Sequence, residues 1–403
     1  MSRTSNSYDA VIVGGGPAGT SAAIHLSAIG ARVLLAEQKK FPRAKLCGEF
    51  ISPECLAHFE RLGVADRMMD AGGAELSETV FYSRSGRNVC VPSAWFGVGS
   101  HGALGLSRAE MDARLLARAR ELGVEVLEET QAAGLLLDGG KVRGVRLRRD
   151  GQSFEVNSLI AIDATGRSRA LCRRIEKEED GKHRSRKGSA PLVAFKAHLE
   201  NTVGAPGSCE IYFYRGGYGG LSRVEGGLSN LCFIARARDV RACGGDAERV
   251  MRRVVMKNRR AAETLARASA HSGWLAVALE GFGRSRIVPA AGMLAVGDAA
   301  SFIDPFTGSG MLMALESGEL AAATIARHLP ALRSDETFDD LARDYRARYN
   351  QLFGARLRVC ALMRRGAFVP RLAETLIFGL SASERARRFL ARSTRRSSRH
   401  AES

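Results

Sequence analysis

The stretch Gly14-Gly15-Gly16-Pro17-Ala18-Gly19 restricts the folds open to this chain more than any other. Ahead of it, Ala10-Val11-Ile12-Val13 is short, apolar and largely β-branched, which suits a strand buried on both faces. Pro17 fits a first helical position, where a missing N–H costs nothing. Ala18, Ala22, Ala23 and Leu26 give the following helix a small-residue face that can lie close on a sheet, and Gly30 stops it. Val33-Leu34-Leu35-Ala36 reads as the next strand, with Glu37 at its end.

Glycine turns are common, so G-x-G-x-x-G alone is weak evidence. Here it follows a strand, opens a helix and is followed about 20 residues later by an acid, the context of a dinucleotide fingerprint. Gly14 permits the turn, Gly16 admits a pyrophosphate to the backbone, and Gly19 lets helix and strand pack closely. The helix N-terminus faces the anion. Glu37 is placed to accept hydrogen bonds from an adenosine ribose and disfavours a 2′-phosphate, so the site suits FAD or NAD over NADP.

The 403 residues allow two or three domains. No signal-like or membrane-spanning apolar run is found. The eight cysteines include no C-x-x-C pair, and the eight histidines show no metal-ligand spacing. A cytoplasmic protein with reduced thiols and no metal is expected. The net charge of +17 concentrates at Lys182–Lys187 and in the arginine-rich C-terminus. Without a nucleic-acid motif or interleaved aromatics, it points away from nucleic acid and towards either solubility or an anionic membrane surface.

Further along, Arg43, Lys45 and Cys47 lie in a loop. A helix from Cys55 to Leu62 is expected after Ser52-Pro53-Glu54, and Ser107 with Glu110 forms a capping box for another. A meander through Leu135–Leu137 and Val142–Leu147 leads to a second buried strand, Leu159–Ile162, which ends in Asp163-Ala164-Thr165-Gly166. Residues 188–284 are strand-rich, with strands at Ser208–Tyr214 and Ser229–Ala235 around a turn at Gly216–Gly220, then a helix from Asp246 to about Ala268. A third buried strand, Met293–Val296, ends in Gly297-Asp298, and Gly308-Ser309-Gly310 opens a long helix.

These three strand-end loops, in this order, resemble the flavoprotein superfamily of para-hydroxybenzoate hydroxylase type. Arg43-Ala44-Lys45-Leu46-Cys47-Gly48 and Gly217-Tyr218-Gly219 are most similar to its geranylgeranyl reductase branch. Two stretches depart from that branch: Gly220-Leu221-Ser222-Arg223, where aromatics and a proline are usual, and Glu49, where many of its reductases carry a second glycine. The resemblance implies an α/β (α+β) fold. A Rossmann-like FAD-binding domain (1–75, 100–187, 285–330) is interleaved with an antiparallel-sheet substrate domain (76–99, 188–284), and a helical, basic C-terminal region follows (331–403). It implies FAD contacts at Gly14, Gly16, Ala18, Gly19, Glu37, Arg43, Arg108, Asp163, Gly166, Gly297, Asp298, Gly308, Ser309 and Gly310. NADPH, NADH or another donor would act as a transient reductant, since no second complete fingerprint exists.

The resemblance also places Cys47 near the flavin, where it would deliver a proton during alkene reduction; the plainer reading is a packed thiol. Tyr212, Tyr214 and Tyr218 are candidates to line the substrate cavity. Two reactions stay open: reduction of C=C bonds in a lipophilic, isoprenoid-type substrate, and monooxygenation of an aromatic or polyketide-like one. Trp95 and Trp274 stand alone without W-x-W-x-I-P, which disfavours a halogenase, and a flavin carrier without turnover is the reading outside enzymology. Apolar residues among the C-terminal arginines suggest either a packing helix or a peripheral contact with anionic membrane.

Overall fold

In the computed structural model the described residues are 7–96, 102–180, 192–279, 282–304, 308–334, 338–367, 374, 377 and 379–393. The basic run 182–187, the segment 305–307 and the arginines at 395, 396 and 399 lie outside them, as do Leu372 and Leu376.

The first sheet is organised around the long strand Gln152–Asp163. Ser7–Val13 lies parallel to it on one side, followed outward by Val33–Ala36 and Glu125–Leu127, all parallel. On its other side the strand is shared: its C-terminal half pairs with Met293–Ala295, parallel, and its N-terminal half with Lys141–Arg149, antiparallel. Gln131–Asp138 completes the meander. These apolar strands are covered by the helices Pro17–Ala28, Arg108–Glu121 and Gly310–Arg333. Gly318 allows the first and last of these to touch, because a methyl group there would lie 2.3 Å from the Ala18 carbonyl oxygen.

The second sheet runs Leu275–Leu279, Leu192–Glu200, Ser229–Arg236, Gly217–Arg223, Ser208–Tyr214, Glu78–Tyr82 and Asn88–Pro92, with Ser269–Ala270 also pairing Leu192–Glu200. Its pairings are antiparallel except between Ser208–Tyr214 and Glu78–Tyr82. The C-terminal region is helical over Asp339–Ala367 and Glu384–Ser393.

Three local expectations are corrected. Gly217–Gly220 is strand, and the turn is confined to Arg215–Gly216. Its glycines are needed for close pairing, since a methyl group at Gly217 would meet the Ile234 carbonyl oxygen at 1.9 Å. The single helix expected from Asp246 to Ala268 is instead two, Ala247–Arg253 and Arg259–Thr264. Asn258 divides them: its side chain caps the second through Ala261 N–H (3.1 Å) and donates to the carbonyls of Ser83 and Phe213. The capping box is half formed. Ser107 Oγ accepts from Glu110 N–H at 3.2 Å, but Glu110 turns to Arg114, and Glu225 accepts from Ser107 N–H at 2.9 Å instead.

Candidate active site

The three strand-end loops meet at one sheet edge and are stitched by backbone hydrogen bonds. Ala164 N–H donates to Val13 (2.8 Å), Val296 N–H to Asp163 (3.0 Å) and Gly14 N–H to Ala36 (2.8 Å). At Gly14, φ is +112° and a methyl group would lie 2.3 Å from the Ala164 carbonyl oxygen. At Gly19 it would lie 1.9 Å from the Gly14 carbonyl oxygen. Both positions exclude a side chain for reasons of packing. Gly16 differs, because the nearest atoms to a methyl group there are the guanidinium nitrogens of Arg108 (3.7 Å) and Arg43 (3.9 Å). Open backbone thus faces two cations at the start of the helix Pro17–Ala28, an arrangement suited to a pyrophosphate.

Those cations are held by Asp112, which sequence reading passed over. Its fully buried carboxylate takes both Arg108 Nε (2.8 Å) and Nη2 (2.7 Å) and also Arg43 Nη1 (3.0 Å). Burial works against the Arg108 charge, but Asp112 outweighs it and keeps the guanidinium firmly protonated. The available signal was Asp112 at one turn from Arg108, a spacing at which helical side chains meet. Glu37, also buried, accepts from Gly15 N–H (2.9 Å) and Lys39 N–H (3.0 Å), which fixes its carboxylate while leaving acceptor capacity for a ribose.

A cavity of about 980 Å³ runs from this cradle into the second sheet. Gly14, Gly16, Ala18, Glu37, Arg43, Cys47, Arg108, Gly166, Gly297, Asp298, Gly308 and Gly310 all line it. Gly19, Asp163 and Ser309 lie behind the wall. Asp163 is engaged internally, accepting from the N–H groups of Thr165, Leu171 and Cys172 and from the Thr165 hydroxyl. It shapes its loop and does not present a carboxylate to the cavity. Asp298 is half-buried, and burial raises its pKa against the opposing charges of Arg167, Arg108 and Lys45.

The far part of the cavity is apolar, lined by Phe81, Val89, Phe213, Ile234, Leu279, Phe302, Ile377 and Leu380. Side chains alternate along Ser208–Tyr214, so Phe213 faces the cavity while Tyr212 and Tyr214 point to the opposite face. There the Tyr212 hydroxyl donates to Glu210 (2.7 Å) and that of Tyr214 to the Ile234 carbonyl (3.0 Å). Of the three tyrosines expected in the cavity wall, only Tyr218 lines it, and its hydroxyl donates to Asp304.

Cys47 sits where the two parts join. Arg43 belongs to the cradle, and Leu46 packs among the apolar residues around Phe213. Between them, Cys47 interacts through its thiol with Arg108, its Sγ accepts Glu49 N–H (3.4 Å), and its carbonyl accepts Asn230 Nδ2 (3.1 Å). The neighbouring Cys232 also lines the cavity, and burial pushes its thiol up to about 12.

Comparison with known proteins gives the family and the fold. Digeranylgeranylglycerophospholipid reductase 2 of Methanopyrus kandleri is 28% identical over 351 residues, covering 86% of this chain and 83% of that protein. Menaquinone reductase of Mycolicibacterium smegmatis is 26% identical over 336 residues, covering 78% of this chain and 75% of that protein. Among solved structures, the flavin-dependent brominase Bmp2 superposes with a TM-score of 0.78 at 21% identity, over 96% of this chain and 93% of that one. At that identity the likeness speaks for the fold alone. The family described as FAD binding domain matches residues 7–353. The chain belongs to that FAD-binding family and is an FAD-dependent oxidoreductase.

Proposed function

We propose that this enzyme reduces C=C bonds of a lipophilic, isoprenoid-type substrate, with NADPH or NADH as a transient electron donor. The observation that carries the reading is the continuity of the dinucleotide cradle with a long apolar chamber, with a thiol at their junction. The reductase names of the Methanopyrus and Mycolicibacterium relatives support it.

Bound FAD supplies the hydride chemistry. The protein's part is to hold and orient. Gly16, Arg43 and Arg108 would hold the pyrophosphate, Glu37 the adenosine ribose, and Asp298 the ribityl chain. The N–H groups at the start of the helix Gly310–Arg333 would stabilise negative charge on the reduced cofactor. The apolar wall binds the prenyl chain and keeps water out. As a hydride reaches one alkene carbon, the Cys47 thiol gives its proton to the other and is later reprotonated from solvent. The π bond breaks and two C–H bonds form.

Chain entry involves the helix Glu384–Ser393. Arg387 and Ala391 line the cavity, while Phe389 is 77% exposed and Arg385 and Arg388 are exposed as well. Such a helix suits the surface of an anionic membrane, with its basic face on the headgroups. No helix among the described residues is long and apolar enough to cross a membrane.

The test is anaerobic mixing of the chemically reduced holoenzyme with a geranylgeranyl lipid. The expected result is return of the oxidised flavin absorbance together with a product heavier by two hydrogens. Flavin that stays reduced in the anaerobic mixture and reoxidises only when oxygen is admitted, with an oxygen atom in the product, would overturn it in favour of monooxygenation.

A further inference from the structure

Glu49 has a backbone φ of +53°. A side chain in that left-handed region is strained, and such strain persists only where the surroundings enforce it. The surroundings here are specific. The carboxylate is wholly buried; Oε1 accepts from Lys196 Nζ at 2.6 Å and from Arg108 N–H at 2.9 Å, and Oε2 pairs with His198 Nε2 at 2.6 Å.

Lys196 and His198 are two residues apart on Leu192–Glu200 and therefore share one face of the second sheet. One carboxylate thus ties together the loop bearing Cys47, the first residue of the helix bearing Arg108 and Asp112, and the sheet that forms the opposite wall of the cavity. Burial alone would raise its pKa. Hydrogen bonds from His198 and Lys196, the Lys196 charge and the Arg108 N–H overcome that and hold it below the ordinary carboxylate range. The anchoring continues into the backbone: Glu49 N–H donates to Cys47 Sγ (3.4 Å), and the Gly48 carbonyl accepts the Ser222 hydroxyl (3.4 Å).

We propose that Glu49 is a positioning residue that sets the separation of the Cys47 thiol from the substrate-bearing wall. A glycine would relax the loop backbone but leave Lys196 buried without its carboxylate and cut the side-chain tie between the Cys47 loop and the second sheet. The proposal rests on the reading of the cavity given above, for which Cys47 must meet a substrate carbon at a defined distance.

The test separates positioning from stability, and its first readout needs neither substrate nor turnover. In Glu49→Gln, the Cys47 thiol of the FAD-loaded enzyme is alkylated faster by iodoacetamide than in the parent, with Cys47→Ser giving the background from the other cysteines. The melting temperature also falls, because Lys196 has lost its carboxylate. In Glu49→Gln combined with Lys196→Met the uncompensated charge is gone, so the melting temperature recovers while the fast alkylation remains. With a geranylgeranyl lipid, kcat of the double variant falls on the order of 10²-fold, as for a misplaced reacting group, and KM stays near the parent value. Unchanged Cys47 alkylation in Glu49→Gln, or alkylation restored with stability in the double variant, would overturn the proposal. Absence of alkene reduction in the parent would count only against the substrate reading.

Discussion

Arg108 and Asp112, one helical turn apart, form a two-pronged buried ion pair at 2.7 and 2.8 Å beside the open backbone of Gly16. Asp112 also holds Arg43 at 3.0 Å. Removing a buried partner leaves uncompensated charge, which costs about 3–5 kcal/mol. Asp112→Ala is therefore expected to lower thermal stability and to release FAD on dilution, read by calorimetry and by recovery of free-flavin fluorescence.

Gly14 and Gly16 give opposite outcomes on substitution. Gly14→Ala places a methyl group 2.3 Å from a backbone oxygen and is expected to prevent folding. Gly16→Ala meets nothing closer than 3.7 Å, so the flavin-free protein keeps its melting temperature while FAD affinity falls at least tenfold. Titrating the two apo-proteins with FAD after circular dichroism checks both.

Cys47→Ala removes the thiol and its contact with Arg108, which stays held by Asp112. Flavin content is expected to be unchanged and kcat for alkene reduction to fall by about 10²-fold, within the usual range for a proton donor. Retained kcat would return Cys47 to the role of a packed thiol.

Glu319 bridges helices through His58 (2.9 Å) and Arg61 (2.9 Å). Burial opposes its charge, but these two partners prevail and bring its pKa down to about 2 from 4.5. Because the folded value is depressed, the stabilisation is full above the unfolded pKa and is lost as pH falls from about 4.5 towards 2. Glu319→Gln should melt below the parent at pH 7, with the gap closing in acid; a gap constant with pH would contradict this.

Phe389→Asp, at an exposed site, is expected to reduce co-sedimentation with vesicles containing anionic lipid and to leave flavin content unaltered. Equal co-sedimentation would remove the membrane contact from the account.

The nucleotide half of the site was legible because its demands are local. A glycine with φ of +112° and a proline at a helix start are written in adjacent residues, so Gly14–Gly19 could be read directly. The second sheet was less so. Gly217–Gly220 looks like a turn until the Ile234 backbone is seen against it, and which of Tyr212, Phe213 and Tyr214 faces the cavity depends on a register set by distant strands. Lys196 and His198 escaped notice altogether, since only folding brings them to Glu49.

The long strand Gln152–Asp163 is flanked by Ser7–Val13 from the start of the chain and by Met293–Ala295 from its last third. The cradle therefore cannot close while the ribosome is still making its middle. The first glycine loop waits through most of synthesis for the strand that brings Gly297 and Asp298 beside it. Pairings this distant in sequence form slowly and leave apolar edges uncovered meanwhile. A truncated chain ending before Met293 would lack part of its cofactor site however well its first strands had formed.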